Sequence, residues 1–451
     1  MREVAMSRSM RIKGPARIKG SLKVPGDKSI SHRVLMLASI ASGSSRIGGL
    51  ASSADCQATL QCIRGLGVRV ENAGSELVVH GDGLFGYHPT APVVRLDAAN
   101  SGSTIRMLTG LLAGQRFTTE IDGDASLRRR PMARIIEPLG LMGARIDARD
   151  RTFAPLTVHG QKLNPIDYAS PVASAQVKTC VLFAGLLADG LTSFSEPALS
   201  RNHTELMLKE FGAHFELDSS AGTLSVEGLH ALNAVGYHVP GDLSSAAFFI
   251  AAATILPGSE ALIPGVSLNP TRAAFIDVLN ELGARIETRN VREQHYETVG
   301  DLVVSGMQLR SEGRGTTLSG RIIPNIIDEI PILAVVATQV EGRVEVRDAA
   351  ELRIKESDRI RTVVDGIRAL GGEIEEFADG FAVNGPQRLS GGCVETSGDH
   401  RVAMAFAIAG LVAKGTTEIR NADCASVSFP EFYESLARLT APGSVAPSPV
   451  E

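Results

Sequence analysis

A five-residue phrase recurs along the chain and constrains the fold more than any other feature. Each copy follows an apolar, helix-like run, turns at a glycine and continues into alternating apolar and polar residues. The copies are LGVRV (66–70), MGARI (142–146), FGAHF (211–215), LGARI (282–286) and LGGEI (370–374). Alternation with a period of two is typical of strands with one buried face. A spacing of roughly 70 to 90 residues exceeds that of solenoid repeats and predicts a supersecondary unit of two helices and several strands.

A sixth helix-like run (429–439) is followed by a Pro- and Ser-rich tail in which we predict no strand. The N-terminal segment RIKGPARIKGSLKVPG (11–26) has strand character and precedes any helix. We therefore expect it to complete the sixth unit by pairing with the C-terminal part of the chain. This places both termini in one domain.

The phrase VPGD occurs at 24–27 and again at 239–242, and a chain of 451 residues is long enough for two domains of about 200 residues each. In both copies Pro-Gly makes a turn and the aspartate can cap the helix that follows. We interpret the copies as the two points where the chain crosses between domains. The predicted α/β (α+β) fold then has one domain of residues 1–26 and 242–442, an inserted domain of 27–241, and a tail of 443–451 without fixed structure, as we also expect before residue 10.

Composition excludes several classes of protein. Hydrophobic residues make up 44% of the chain, yet no apolar run approaches the ~18 residues that a membrane span needs. The net charge of -5 argues against broad nucleic-acid binding. Five scattered cysteines form neither a disulfide framework nor a CxxC pair, and the first twenty residues given lack the apolar stretch that a secretory signal needs. We expect a cytoplasmic protein without a membrane or nucleic-acid partner.

Several helix starts carry residues that suit an anion. In KSISHR, Lys28 begins the segment and Ser29 lies four residues before Arg33, on the same helix face. In NSGSTIR, Asn100 can cap a helix and Gly102 allows a ligand close to the backbone. A helix N-terminus offers free N–H groups and a favourable dipole. For Arg106, in the same stretch, a clamp and a plain surface charge both remain open.

Further polar stretches precede apolar helical runs. SLRRRP holds Arg130 extended before a proline, whereas Arg128 and Arg129 fit a solvated surface. ASAQVK and SRNHTE are Ser-led helix starts, and we assign to them donors for a phosphate or hydroxyl group. IIDEIP, IKESDR and GDHR are charged stretches at predicted helix starts, and the last two contain cations as well as acids. The aspartates Asp328 and Asp399 could simply be caps, but cations in a first helical turn oppose the dipole and indicate that anions bind there.

Taken in order, PGDKSISHR, NSGSTIR, RRRP, SAQVK, DE-IP, KESDR and DHR closely resemble the motifs of the 5-enolpyruvylshikimate-3-phosphate synthase family. The resemblance runs from about Arg17 to Leu439. It implies two domains, each of three βαβαββ units with pseudo-threefold symmetry, and an active site in the cleft between them. It also implies transfer of the enolpyruvyl group of phosphoenolpyruvate to the 5-hydroxyl of shikimate 3-phosphate, with release of phosphate and no metal or organic cofactor. The reaction belongs to the shikimate pathway, which leads through chorismate to aromatic amino acids.

Carried over position by position, the resemblance assigns residues to each substrate. Those implied for phosphoenolpyruvate are Lys28, Gly102, Arg130, Gln176, Arg359, His400 and Arg401. Those implied for shikimate 3-phosphate are Lys28, Ser29, Arg33, Ser174, Ala175, Gln176, Ser200, Arg201, Asp328 and Lys355. We expect Glu356 to donate a proton to the methylene carbon and Asp328 to be the base at the 5-hydroxyl. Lys28 would assist proton transfer.

The sequence departs from the family pattern at three positions. Ala175 stands where many relatives have a second serine, His203 where many have a ring-stacking tyrosine, and Asp423 where many have a lysine. Together they indicate the more divergent bacterial branch. Members of that branch that tolerate glyphosate often carry an alanine at the position of Gly102, so the glycine here predicts sensitivity.

Two alternatives remain. The sister enzymes that act on UDP-N-acetylglucosamine often carry a cysteine on the loop before the cleft arginine, but this chain has none between Cys62 and Cys180. A non-catalytic ring of repeated units, such as a DNA clamp, would need a broadly positive face. We expect a monomer that binds small molecules.

Overall fold

The computed structural model describes residues 8–218, 222–311, 313 and 315–448. The chain divides into two compact units, between Pro25 and Gly26 and again between Pro240 and Gly241. Unit 1 comprises the residues up to Pro25, Gly241–Arg292 and the residues from Thr298 onwards. Unit 2 comprises Gly26–Pro240 together with Glu293–Glu297, a short segment that the sequence did not single out. Each unit has its own hydrophobic core.

Unit 2 contains three four-stranded sheets of one plan: a parallel pair at one edge, then two antiparallel pairings. The sheets, numbered in chain order, are β14 (Gly236–His238), β3 (Ser42–Gly48), β5 (Glu76–Asp82) and β4 (Arg69–Ala73); β6 (Val93–Asp97), β7 (Thr118–Asp122), β9 (Phe153–His159) and β8 (Arg145–Arg149); and β10 (Asp167–Ala169), β11 (Leu191–Ser195), β13 (Thr223–Glu227) and β12 (Phe215–Asp218).

Unit 1 repeats the plan three times. Its sheets are β2 (Lys19–Ser21), β15 (Glu260–Ser267), β17 (Glu297–Ser305) and β16 (Arg285–Gln294); β18 (Leu309–Arg310), β20 (Val340–Val346), β22 (Gly380–Gly385) and β21 (Glu375–Phe377), with β19 (Thr316–Leu318) also on β20; and β23 (Cys393–Glu395), β24 (Gly415–Arg420), β1 (Met10–Gly14) and β25 (Val445–Pro447). Three sheets in each unit confirm the predicted fold class, and the five recurring phrases mark the turns into five of the six sheets.

Each repeat carries one buried helix. Every residue of the helix Leu243–Ile255 is buried, for example, so it is apolar all round. The buried helices are α1 (Lys28–Ile40), α3 (Gly102–Ala113), α5 (Ala175–Gly185), α7 (Leu243–Ile255), α10 (Ile330–Ala337) and α12 (His400–Val412). The remaining helices are α2 (Ala54–Gly65), α4 (Ala133–Leu141), α6 (His203–Glu210), α8 (Ala274–Glu281), α9 (Ile323–Ile326), α11 (Arg359–Ala369) and α13 (Phe432–Leu439).

The sixth repeat is completed from both ends of the chain. β1 pairs antiparallel with β24, with Met10 opposite Ile419, so the expected N-terminal contribution is confirmed. The prediction that no strand follows the last helix, and that the tail from 443 lacks fixed structure, is wrong for β25. This strand pairs with the open edge of β1, with Ile12 opposite Val445, and Val445 packs against the core of unit 1. The expectations for residues 1–7 and 449–451 fall outside the described residues.

The aspartates of both VPGD phrases cap the helices that follow them, as predicted. The Asp27 side chain accepts from the Ile30 N–H at 2.9 Å, and the Asp242 side chain accepts from Ser244 at 3.1 Å, so each aspartate caps the next helix. The Asp27 N–H also donates to the Pro240 carbonyl (2.7 Å), and the Asp242 N–H donates to that of Pro25 (2.9 Å). The two crossings therefore hold each other by reciprocal backbone bonds.

Helices α3 and α5 approach closely because Gly110 has no side chain. A Cβ built at Gly110 would lie 2.2 Å from the Cys180 carbonyl oxygen. We expect Gly110→Ala to push the helices apart and lower the free energy of unfolding by about 1 to 3 kcal/mol. Denaturant titration checks this against Gly140→Ala. A Cβ there meets nothing within 4 Å, so that change should stabilise α4 by about 0.5 to 1 kcal/mol. Equal effects at both glycines would contradict the close-packing argument.

Candidate active site

The three buried helices of unit 2 begin close together. Arg33 of α1 donates to the Ala175 carbonyl (3.3 Å) and to Thr179 Oγ1 (2.9 Å) of α5. Arg106 of α3 donates to Gln176 Oε1 (2.8 Å), and Gln176 Nε2 donates back to Ser103 Oγ (3.0 Å). The positive ends of three helix dipoles therefore meet in what we call the unit 2 cluster, an arrangement that favours bound anions.

Lys28, a cation of this cluster, is the first residue of α1. Its Nζ lies 2.8 Å from Asp55 Oδ2, with 18% of the lysine side chain exposed. Desolvation, and then the charges of Lys28 and Arg33, keep the pKa of buried His32 well below its usual value. The imidazole is therefore neutral and adds no charge to the cluster.

Gly102 lies directly against two guanidinium groups. A Cβ built on it would be 3.1 Å from Arg106 Nη1 and 3.3 Å from Arg130 Nη1. Asn100, which the sequence suggested as the cap of α3, instead accepts a bond from Arg130 Nη2 at 2.7 Å. The cap is Ser101, whose Oγ accepts from the Thr104 N–H at 3.1 Å. The expected cap was therefore wrong, and Asn100 fixes the position of Arg130.

Two arginines of the unit 2 cluster are buried. Arg106 is only 9% exposed and bonds Gln176 and the Pro131 carbonyl, so it is an internal clamp and not a surface charge. Arg33 is 3% exposed, and its Nε and Nη1 reach Thr204 Oγ1 (2.8 Å) and the Ser29 carbonyl (2.9 Å). Both side chains fix the helix starts, and a direct ligand contact of Arg33 stays a prediction.

The loop before α6 is held by a buried ion triad. Lys178 lies 3.0 Å from Glu196 and 2.7 Å from Glu205, with 2% of its side chain exposed. Glu196 Oε1 also accepts from both the backbone N–H and the Oγ of Ser200, each at 2.9 Å. Arg201, next in the chain, donates to Ser29 Oγ at 3.4 Å. Lys178 therefore lies inside unit 2, where it holds Glu196, the acceptor of both Ser200 bonds.

The remaining predicted positions of unit 2 lie at the start of α5 and α6. Ser174 caps α5 by accepting from the Val177 N–H at 3.4 Å, and Ala175 and Gln176 are half-buried beside it. His203 is fully buried, with Nδ1 2.6 Å from Glu297 Oε1. Its imidazole therefore belongs to the interior of unit 2.

In unit 1 a single guanidinium holds three carboxylates. Arg359 Nε lies 2.8 Å from Asp399 Oδ2, its Nη1 lies 3.4 Å from Asp328 Oδ1, and its Nη2 pairs with Glu356. The side chain of Arg359 is 2% exposed and that of Asp399 is fully buried. Burial lowers the pKa of Arg359. The negative charges around it outweigh this effect and raise that pKa above its ordinary value; they belong to Asp399, Glu356 and Asp328. The cation is therefore permanent.

The buried helices of unit 1 also begin together, forming the unit 1 cluster. Arg401 of α12 lies 3.2 Å from Asp328 Oδ2 and donates to the Asp328 carbonyl at 3.2 Å. Asp328 is therefore an ion-pair partner and not a helix cap. Asp399 both caps α12, through the Arg401 N–H at 2.9 Å, and binds Arg359. Glu329, which sequence reasoning missed, is 2% exposed and bonds Ser244 Oγ of α7.

Three further residues that were named from the sequence lie in unit 1. Lys355 is partly exposed and lies 3.1 Å from Glu351. His400 is 2% exposed at the first position of α12. Asp423 lies exposed in a 3-10 turn, Ala422–Val427, of unit 1.

Comparison with known proteins identifies the family. The family model for EPSP synthase (3-phosphoshikimate 1-carboxyvinyltransferase) matches residues 12–436. The chain belongs to the EPSP synthase family. It is 50% identical over 429 residues to a 3-phosphoshikimate 1-carboxyvinyltransferase of Solibacter usitatus, covering 95% of this chain and 99% of the relative. A relative of that name from Desulforamulus reducens is 49% identical over 422 residues, covering 93% and 96% of the two chains.

The solved structures agree. EPSP synthase from Acinetobacter baumannii superposes with a TM-score of 0.86 and 37% identity, over 98% of this chain and 100% of that one. The resemblance on which the sequence analysis relied is confirmed, as is the transferase class. No helix among the described residues is long and apolar enough to cross a membrane.

The buried triad yields a stability prediction for this EPSP synthase family member. Lys178→Met should leave Glu196 and Glu205 buried without their cation and cost about 3 to 5 kcal/mol of unfolding free energy. Lys162→Met is the matched control, because its ion pair with Asp189 is exposed and should cost less than about 1 kcal/mol. Chemical denaturation of both variants measures the difference. A cost at Lys178 as small as that at Lys162 would contradict the role of the triad.

Proposed function

We propose that the chain transfers the enolpyruvyl group of phosphoenolpyruvate to the 5-hydroxyl of shikimate 3-phosphate and releases phosphate, by addition followed by elimination. The observation that carries the proposal is the grouping of Asp328, Glu356 and Asp399 around Arg359. Such a grouping holds a carboxylic acid, which can donate a proton, and a carboxylate, which can accept one, around the same guanidinium. The names of the relatives support the choice of substrates.

The proposed chemistry starts with a proton. Glu356 protonates the methylene carbon of the enol, and C2 becomes cationic. The 5-hydroxyl oxygen, losing its proton to Asp328, then bonds to C2. The Glu356 carboxylate next takes back a proton from the methyl group of the tetrahedral adduct, and the C–O bond to phosphate breaks, which restores the double bond and releases phosphate. Lys28 assists the proton transfers.

Electrostatics supports this division of roles. In the unit 1 cluster Arg359 and Arg401 face the four carboxylates of Asp328, Glu329, Glu356 and Asp399. An anionic substrate arriving there disfavours another negative charge, so one carboxyl group binds a proton. Glu356 is our candidate, since its side chain is 19% exposed whereas that of Asp399 is fully buried.

The two substrates bring roughly five to six negative charges, counting about -1.5 to -2 for each of their two phosphates and about -1 for each of their two carboxylates. We propose that the cations and helix starts of both clusters bind this one pair of substrates. The proposed contacts for phosphoenolpyruvate are Lys28, Gly102, Arg130, Gln176, Arg359, His400 and Arg401. Those for shikimate 3-phosphate are Lys28, Ser29, Arg33, Ser174, Ala175, Gln176, Ser200, Arg201, Asp328 and Lys355. We further propose a cytoplasmic monomer that needs no cofactor.

The deciding experiment measures phosphate release from phosphoenolpyruvate by the purified chain in the presence of a chelator. Shikimate 3-phosphate and UDP-N-acetylglucosamine are compared as acceptors. The proposal expects release with shikimate 3-phosphate alone. Release only with UDP-N-acetylglucosamine would assign the chain to the sister reaction, and release with neither would contradict enolpyruvyl transfer.

Glu356→Gln removes the proposed proton donor while keeping the shape of the side chain. We expect turnover to fall by about a hundredfold to ten-thousandfold, with shikimate 3-phosphate affinity nearly unchanged. Single-turnover kinetics and calorimetry measure the two effects. The control is Glu341→Gln, which changes an exposed glutamate paired with Arg310. Turnover by Glu356→Gln equal to that of the unaltered chain would exclude this residue as the donor.

Gly102→Ala tests the contact with phosphoenolpyruvate. The added methyl would lie 3.1 Å from Arg106 and 3.3 Å from Arg130, where it displaces either a guanidinium group or the ligand. We expect the KM for phosphoenolpyruvate to rise by about tenfold, a cost of about 1.4 kcal/mol, and the inhibition by glyphosate expected of the unaltered chain to weaken. Initial-rate titrations check both, with Gly140→Ala as the control. An unchanged KM would remove Gly102 from the site.

A further inference from the structure

We propose that His214, Glu227 and His230 form a binding site for one borderline divalent transition cation, represented by Zn²⁺, on the surface of unit 2. The proposal is independent of the enolpyruvyl transfer argued above. Among the residues that the structure describes, this is the only group of three or more His, Cys, Asp or Glu side chains close enough to share an ion.

The distances match what a tetrahedral ion requires. Glu227 Oε2 lies 3.5 Å from His214 Nδ1 and 3.2 Å from His230 Nε2. Ligand atoms at about 2.0 to 2.2 Å from a tetrahedral Zn²⁺ lie roughly 3.3 Å from one another. The carboxylate oxygen therefore already stands at ligand spacing from both imidazoles, and the three ligand atoms all lie within 4.8 Å of one another.

The backbone positions the three side chains before any ion binds. The Glu227 N–H donates to the His214 carbonyl at 2.9 Å, in continuation of the β12–β13 pairing of Phe215 with Val226. The carboxylate and the first imidazole are therefore neighbours across an antiparallel ladder. The two imidazole rings stack with centroids 3.9 Å apart and planes inclined by 21°.

The turn that brings His230 back to Glu227 is tightly fixed. Gly228 fits against the end of α5 so closely that a Cβ would lie 2.0 Å from the Ala188 carbonyl oxygen. The Leu229 N–H donates to the Leu186 carbonyl at 2.9 Å, and Leu229 has a φ of 64°. A leucine in the left-handed region is strained, and such strain is concentrated at ligand sites and turns that the surrounding structure enforces.

The donor set selects the class of ion. Two imidazoles and one carboxylate suit Zn²⁺, Co²⁺, Ni²⁺ or Cu²⁺, whereas Mg²⁺ and Ca²⁺ prefer oxygen ligands throughout. The three side chains are 58%, 54% and 39% exposed, so an ion and a completing water have access. Other surface pairs, such as His88 with Asp82, have one histidine and one carboxylate.

The site is remote from the unit 2 cluster. Helix α5 begins at Ala175 in that cluster, and its end at Gly185 packs against Gly228. Eleven residues of helix span about 16 Å. A bound ion would therefore act as a clamp on the β12–β13 hairpin, and it would stabilise the folded chain because the unfolded chain lacks the site.

Calorimetric titration of Zn²⁺ into the chelator-stripped full chain tests the proposal, with Co²⁺ absorption as a second readout of imidazole ligation. We expect one saturable site, a raised Tm in Zn²⁺, and affinity at least about tenfold lower in His214→Ala and in Glu227→Gln. His88→Ala is the control and should bind as the unaltered chain does. Glu227→Gln preserves the side-chain shape, so it remains informative if His214→Ala fails to fold.

Two results would overturn the proposal. One is the absence of saturable binding, which would make the cluster a surface ion pair only. The other is affinity that survives both substitutions but falls in His88→Ala, which would assign the ion to other histidines among the 10 in the chain.

Discussion

The unit 1 cluster depends on one guanidinium, that of Arg359, surrounded by three carboxylates of which one is fully buried. Burying a charge is tolerated only when partners compensate it, and removing one partner of such a set typically costs about 3 to 5 kcal/mol. If Arg359 moved, the buried carboxylate of Asp399 would lose its cation. Arg359 therefore stays in place, and its guanidinium fixes the positions of Asp328 and Glu356. The geometry of the proposed acid and base is thus a consequence of charge compensation.

The two clusters differ in the sign of their charge. In the unit 2 cluster Lys28, Arg33, Arg106, Arg130 and Arg201 are cations, and Asp55 is the acid paired with Lys28. The unit 1 cluster has more carboxylates than arginines. The proposed function uses this difference, because cations bind the substrate anions while carboxylates accept and donate protons. Both clusters are built from the same element, the N-terminus of a buried helix, which each repeat supplies once.

Local sequence patterns predicted what local physics determines. The recurring glycine turns indicated the repeats, and the VPGD aspartates indicated two caps that the structure confirms. The motifs also placed Lys28, Gly102 and Gln176 at helix starts. Their assignment to particular substrates came from the family resemblance.

What the sequence missed rests on contacts between distant residues. The residues next to Lys178 in the sequence do not show that Glu196 and Glu205 will surround it. Asn100 is a plausible helix cap from the sequence, but in the structure its side chain binds Arg130 instead. The sequence shows Glu329 only as part of a predicted helix start. Its hydrogen bond with Ser244 of α7 joins residues that are distant in the sequence. The sequence of β25 lacks the alternation of apolar and polar residues that predicts a strand. The segment forms a strand because it pairs with the edge of β1 that β24 leaves free.

We propose that cations of both clusters bind the same phosphoenolpyruvate molecule. The most direct test is calorimetry of phosphoenolpyruvate binding to the complex with shikimate 3-phosphate, for Arg130→Gln in unit 2 and Arg401→Gln in unit 1. The control is Arg361→Gln, an exposed arginine paired with Asp365. We expect both cluster variants to bind phosphoenolpyruvate at least about tenfold more weakly, a loss of about 1.4 kcal/mol, while the control is unchanged. Weakening confined to one unit would contradict it.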